Sequence, residues 1–133
     1  MKLTARCEYA LLALTYLSRH GSEEYISVDR IAAAQRIPPR FLEQILLILK
    51  MARIVTSGKG DRGGYRMAKP PARVTLAEVI RSIDGALAPT ESVSKYFYEP
   101  TPIEKEKRLL RVFRGIRDYV SDTLEHVTLA DVS

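Results

Sequence analysis

Apolar residues recur along this chain with spacings that lay out its elements before any chemistry is considered. From Thr4 to Arg19, the residues Tyr9, Leu12, Leu14, Tyr16 and Leu17 alternate with alanines. The stretch is apolar almost all round, as a helix packed at the centre of a domain would be. Thr4 can cap it and Gly21 can end it. Residues 23–25 read as a turn, and Tyr25-Ile26 as a short edge strand. Ser27, with Asp29 in the next turn, opens a short helix over 28–35, and Arg36-Ile37 forms the turn after it. Pro39 pre-sets the first turn of a third helix. There Phe41, Leu42, Ile45, Leu46, Ile48 and Leu49 make the core-facing stripe, while Arg40, Glu43, Gln44 and Leu47 lie toward the other face. Two short runs follow that read as strands, Ile54-Val55-Thr56-Ser57 and Tyr65-Arg66-Met67-Ala68.

The second half repeats the helical spacing with different punctuation. Thr75-x-x-Glu78 is a capping box, which predicts a helix over 76–83 ending at Gly85. Residues 86–100 are irregular. Thr101-Pro102-Ile103-Glu104 combines a second box with proline at the first helical position, and the helix it opens should run to about Glu125. Leu109, Val112, Phe113, Ile116, Val120 and Leu124 form one stripe on it, with Lys105, Lys107, Arg111, Arg114 and Asp118 mostly off that stripe. An apolar stripe of this length needs a cover. A second copy of the chain is the expected one, and folding back on the same domain is the alternative. Val127-Thr128-Leu129-Ala130-Asp131-Val132 nearly repeats Val74-Thr75-Leu76-Ala77-Glu78-Val79, which reads as two similar helix caps rather than an internal repeat.

Composition narrows the class. The 133 residues suit one compact domain, or one small domain with an appended arm. No apolar run is long enough to cross a bilayer. The run from Leu11 to Leu17 is followed by Arg19 and His20 rather than a cleavage site, so a cytoplasmic protein is expected. A single cysteine excludes an internal disulfide. Charge is divided unevenly: 13 Lys and Arg face 6 Asp and Glu up to Arg73, against 8 and 10 from Val74 onward. That basic first half favours a polyanion. A membrane surface would call for a basic helix with apolar residues free to insert, and the helices here need theirs for a core. No nucleophile–base set or paired carboxylates stand out among two isolated histidines, so catalysis is not expected.

Between the two strands lies Gly58-Lys59-Gly60-Asp61-Arg62-Gly63-Gly64. Gly58-x-Gly60-x-x-Gly63 matches a dinucleotide-binding fingerprint, which works only if a helix starts at the glycines. Here a strand follows, and Pro70-Pro71 soon blocks helix growth. A flexible hairpin with no partner would also suit the glycines. Lys59, Arg62 and Arg66 around it favour phosphate contact. Two helices joined by a tight turn, then a basic hairpin, is the order of a winged helix-turn-helix. In that architecture the second helix of the pair enters the major groove and the hairpin rests on adjacent phosphates.

Met1-Lys2-Leu3-Thr4, Tyr9-Ala10-Leu11, Phe41-Leu42-Glu43-Gln44-Ile45 and Gly63-Gly64-Tyr65-Arg66-Met67-Ala68-Lys69-Pro70 resemble the Rrf-two family of bacterial transcription regulators. The likeness extends through Val74 to Gly85 and to Thr128-Leu129-Ala130-Asp131. It implies a mainly α fold with a small β-hairpin: a winged helix-turn-helix over 1–85, a connecting loop and candidate effector region over 86–102, and a dimerisation helix with the C-terminal segment over 103–133. It implies double-stranded DNA as partner, bound as a homodimer, most often in repression of a palindromic operator, with a small molecule or protein as candidate effector and no membrane partner.

Carried over by position, Arg40, Phe41, Glu43 and Gln44 are expected at base edges. Glu43 suits a cytosine amino group and Gln44 an adenine. Glu43 would also be stabilised near a helix N-terminus without DNA, and Phe41 could equally belong to the core. Lys2, Arg6, Ser27, Lys59, Arg62 and Tyr65 are expected at the DNA backbone or in the wing. Tyr96, Phe97 and Tyr98 either line an effector pocket or anchor the loop. Many relatives hold an iron–sulfur cluster on three cysteines before the long helix. This chain has none between Ala86 and Pro102, so no cofactor and no metal are expected. Cys7 is either buried and inert or a redox switch near DNA. Pro38-Pro39 departs from the small hydroxyl residue common at the first of those positions, which removes one potential DNA contact. The rival reading is a protein-interaction module that senses a metabolic enzyme or small molecule, with DNA binding secondary.

Overall fold

The computed structural model describes residues 1–20, 23–60 and 63–133. Helix α1 (Ala5–His20) runs through the middle, as its all-round apolar character predicts. It touches α2 (Val28–Gln35), α3 (Pro39–Met51), β2 (Gly64–Met67), α4 (Leu76–Asp84) and α6 (Leu129–Val132). Ala10, Ala13, Leu14 and Leu17 are completely buried there. The expected cap is made: Thr4 Oγ1 accepts from the Cys7 amide at 3.1 Å. The expected end at Gly21 lies outside the described residues.

Ser27 Oγ caps α2 by accepting from the Arg30 amide at 3.2 Å. The chain then reverses at Arg36, which adopts a left-handed φ of 54° and closes the helix onto the Ala32 carbonyl. Glycine is the usual residue in that conformation. Helix α3 starts on proline without a side-chain cap and buries Leu42, Ile45, Leu46 and Leu49. Phe41 departs from the predicted core stripe. It is 51% exposed and sits at the edge of the stripe, its ring 6.5 Å from that of Tyr9.

Strands β1 (Val55–Gly58) and β2 pair antiparallel in the register Val55↔Met67 to Gly58↔Gly64. The predicted edge strand appears as a bridge: Ile26 and Tyr65 exchange two backbone hydrogen bonds of 2.8 Å each. This close approach explains one glycine. Gly64 has a φ of 146°, and a Cβ there would lie 2.2 Å from the Ile26 carbonyl oxygen. The glycine run therefore joins two antiparallel strands. Among the described residues no helix starts at it, as the dinucleotide arrangement would require.

The two predicted capping boxes are not made as the sequence suggests. Thr75 Oγ1 accepts from the Glu78 amide at 3.1 Å, but the Glu78 carboxylate pairs with Lys69 Nζ at 2.5 Å instead of returning to Thr75. The long helix, expected to open at Pro102, starts later. Pro102–Lys105 forms a 3₁₀ turn and α5 spans Lys107–Glu125. Both members of the expected box are engaged elsewhere, since Thr101 Oγ1 donates to Ser92 Oγ at 2.7 Å and Glu104 accepts from the Tyr98 hydroxyl.

A complete box appears at the end of the chain, where Thr128 and Asp131 cap each other's backbone. There Leu129 is fully buried in the main core with Leu14, Leu17, Ile31, Leu42, Leu46, Leu49, Ile54 and Val74. The terminal segment thus returns to the amino-terminal unit. A smaller cluster of Cys7, Ala77, Ile80 and Leu87 lies beside it, with Leu124 of α5 packed against it.

Candidate nucleic-acid interface

Burial of one face of α3 fixes what the other face presents. At about 3.6 residues per turn, Arg40, Gln44, Leu47 and Met51 line up along the outward side. Glu43 and Lys50 lie on one flank and Phe41 on the other. All seven are exposed, Leu47 at 53% and Met51 at 85%. The face combines a bidentate cation, an amide and a carboxylate with apolar surface, the groups that read base edges in a major groove.

The amino-terminal half also carries exposed cations. Lys2, Arg6, Arg40, Lys50 and Lys59 are exposed, and among the described residues none of them makes an ion pair. Arg6 precedes Tyr9 by one helical turn, so it shares the side of α1 that meets Phe41. Other cations of the basic half are committed elsewhere. Arg66 Nη1 donates to the Glu23 carbonyl at 3.0 Å, and its guanidinium lies 4.5 Å from the centre of the Tyr25 ring. Arg30 Nε donates to the Tyr16 hydroxyl at 3.0 Å. In the wing, Lys59 remains exposed near the tip, and Arg62 lies outside the described residues. Ser27 has its hydroxyl engaged in capping α2, and half-buried Tyr65 packs against the main core. Tyr65 pairs with Ser57 one step from the turn end of the hairpin.

Cys7 is fully buried, and its thiol is pushed up to about 12, first by loss of water and then by the Asp84 carboxylate. Near neutral pH the thiol stays protonated in this environment. Asp84 also accepts from the Thr4 amide at 3.1 Å and the Thr4 hydroxyl at 2.5 Å, tying the end of α4 to the start of α1.

The loop before α5 is held by hydroxyls and by two arginines. Thr90, Ser92 and Thr101 form a mutual cluster, and Ser94 Oγ accepts from the Phe97 amide at 3.0 Å. Arg117 Nη1 donates to the Val93 carbonyl at 2.7 Å, and Arg81 Nη2 to Glu125 at 2.8 Å. The Arg81 contact holds the Glu125 carboxyl below the usual carboxylate range. Tyr96 packs under Arg81 with 4.7 Å from guanidinium to ring centre, and the bond to Glu104 raises the Tyr98 hydroxyl above its ordinary value. The space among Arg81, Leu87, Tyr96, Phe97 and Arg117 is about 10 Å³, the size of one water molecule. Tyr96 and Phe97 line this space, and Tyr98 is tied to Glu104.

On α5 the buried side carries Leu110 and Ser121. Leu109, Val112 and Ile116 of the predicted stripe are exposed, Phe113 and Val120 are half-buried beside them, and Leu124 turns inward. Tyr119, exposed and absent from the predicted stripe, continues the row three residues after Ile116. Its heptad spacing from Val112 is the signal in the sequence that points to it. Leu47 is legible as outward-facing from its period, which by itself gives it no contact. Asp84 carries no local signal, because its partner Thr4 is 80 residues away.

The Rrf2 family model, described as an iron-dependent transcriptional regulator, matches residues 3–133. A candidate HTH-type transcriptional regulator of Mycobacterium tuberculosis is 38% identical over 136 residues, covering all of this chain and 81% of the relative. CymR of Bacillus subtilis, an HTH-type transcriptional regulator, is 28% identical across all of this chain and 90% of its own length. The solved structure of that CymR, titled the global cysteine regulator of its organism, superposes with a TM-score of 0.84 at 26% identity, covering 99% of this chain and 95% of that one. Iron does not fit the residues present here. The sequence holds one cysteine, which is buried in α1, and no group of three His, Cys, Asp or Glu among the described residues could hold a metal. No described helix is long and apolar enough to cross a membrane.

Proposed function

The chain belongs to the Rrf2 family of DNA-binding transcriptional regulators, and we propose that it is a cytoplasmic homodimeric repressor that reads a two-fold symmetric operator without an iron–sulfur cluster. Residues 1–85 form the reading head, 103–133 carry the pairing helix, and 86–102 connect them. The observation that carries this reading is the outward face of α3, where Arg40, Glu43, Gln44 and Lys50 stand exposed, the cations with no ion pair among the described residues, and Arg6 lies on the side of α1 that meets Phe41. Phosphate contacts by the cations supply affinity, and the start of α3 supplies sequence preference.

Pairing follows from α5. Leu109, Val112, Ile116 and Tyr119 recur at alternating steps of three and four, the spacing of a helix seam, and all are exposed in the single chain. Two copies joined along that seam would present their reading heads about one turn of DNA apart. The test is binding of the purified protein to its own upstream DNA across a salt series, followed by fluorescence anisotropy. Tight binding that weakens steeply with salt supports the reading. Binding no tighter than to unrelated DNA contradicts it.

A further inference from the structure

Gln44 has two apolar neighbours on the exposed side of α3. Phe41 precedes it by three residues and Leu47 follows it by three, so both lie next to it on the helix surface. They are 51% and 53% exposed, on a helix whose core positions are completely filled by other side chains. We infer that Phe41 and Leu47 read the 5-methyl groups of thymines flanking the base pair contacted by Gln44. The inference rests on the DNA-binding reading above and names the bases it prefers.

The chemistry of the groove restricts the occupant. Thymine's C5-methyl is the apolar group that base edges present in the major groove. Glutamine pairs with the N6 and N7 positions of adenine, whose partner in the same base pair is thymine. An amide flanked by two apolar side chains is therefore matched to a run rich in A·T pairs. Phe41 is also held in place, because the Tyr9 ring stands behind it at 6.5 Å. The occupant is a duplex rather than a protein because Arg40, Lys50 and Arg6 around these residues are exposed and make no ion pair among the described residues, which favours a polyanion. Met51, about 16 Å from Arg40 along the helix axis, lies past the end that enters the groove.

The test works whatever sequence the operator has. The chain's own upstream region is amplified once with thymidine and once with deoxyuridine throughout, which removes only the methyl groups. Affinity for both is measured with the intact protein and with the Phe41→Ala/Leu47→Ala double variant. The intact protein is expected to bind the deoxyuridine DNA at least about fourfold more weakly, the transfer value of one buried carbon. The double variant is expected to bind thymidine DNA more weakly and to lose the distinction between the two. Equal affinity of the intact protein for both DNAs overturns the inference, and so does an unchanged ratio in the double variant. Either result leaves salt-dependent DNA binding standing, whereas failure to bind both DNAs removes the parent reading as well. A double variant whose free form changes its association state in sedimentation would assign this surface to a protein contact and overturn the inference too.

Discussion

Thr75 and Thr128 face each other across an antiparallel bridge, and each caps the helix that follows it. The Leu76 amide donates to the Val127 carbonyl and the Leu129 amide to the Val74 carbonyl, both at 2.9 Å. The two nearly identical segments are thus partners in one local structure. Their likeness reflects a shared task, since each must start a helix while exposing one backbone edge to the other. The bridge brings the end of the chain back against α1 and places Leu129 in the main core. Leu129→Ala is expected to cost about 2–5 kcal/mol, and Thr128→Ala about 1 kcal/mol through loss of the cap. Urea unfolding of both variants checks the order.

Burial of Cys7 gives stability a pH signature. The thiol stands at about 12 in the folded chain against an ordinary 9.0. Below the lower value both states hold the proton and the group adds no pH dependence. Between the two values the unfolded chain releases the proton while the folded chain keeps it. Stability therefore falls as pH rises through that window, by at most about 1.4 kcal/mol per pH unit. Cys7→Ala should remove this slope, whatever it does to stability at neutral pH. The check is the difference in unfolding free energy between the two proteins at several pH values above the lower limit. A thiol reagent at neutral pH should label Cys7 only as fast as the chain opens.

The cationic and base-reading residues should separate by phenotype. Arg62→Ala or Lys59→Ala is expected to weaken binding to all DNA sequences and to reduce the salt slope by about one unit each. Glu43→Ala should instead relax preference at one base step, with a discrimination loss of about 1–3 kcal/mol. Competition binding with a set of singly substituted operators distinguishes the two.

The α5 seam predicts an association defect separable from folding. Ile116 is exposed in the single chain, so Ile116→Glu should leave the stability of the monomer within about 0.5 kcal/mol. It should also shift the protein from dimer to monomer in sedimentation.

Left-handed Arg36 offers a stability test within the helix-turn-helix. Arg36→Gly removes a steric penalty of about 1 kcal/mol and should raise the melting temperature without changing which DNA is bound. A thermal melt and one binding isotherm check both parts.

Much of this architecture is legible in the sequence, and the exceptions share a cause. Ser27, Thr75 and Pro39 mark their helix starts through local chemistry, and the structure begins α2, α3 and α4 beside them. Leu42, Ile45, Leu46 and Leu49 fill the core as their period requires. The start of α5 is displaced because Glu104 and Thr101 find partners outside their own turn, in Tyr98 and Ser92. Phe41 leaves the core because one residue at the edge of a stripe can turn either way, and here it lies beside Tyr9. Arg66 sits in a cationic cluster by sequence, yet Glu23 and Tyr25 claim it through the fold. Local signals carry as far as the partner lies within one turn. Long-range partners such as Asp84 for Thr4 have no local signature.

Hydroxyl-radical footprinting of the intact protein on its own upstream DNA tests the central claim most directly. The account predicts two protected patches about one helical turn apart, related by two-fold symmetry, with both lost together in Ile116→Glu at the same protein concentration. Protection confined to a single patch and unchanged by that substitution would contradict it, as would uniform protection without sequence preference.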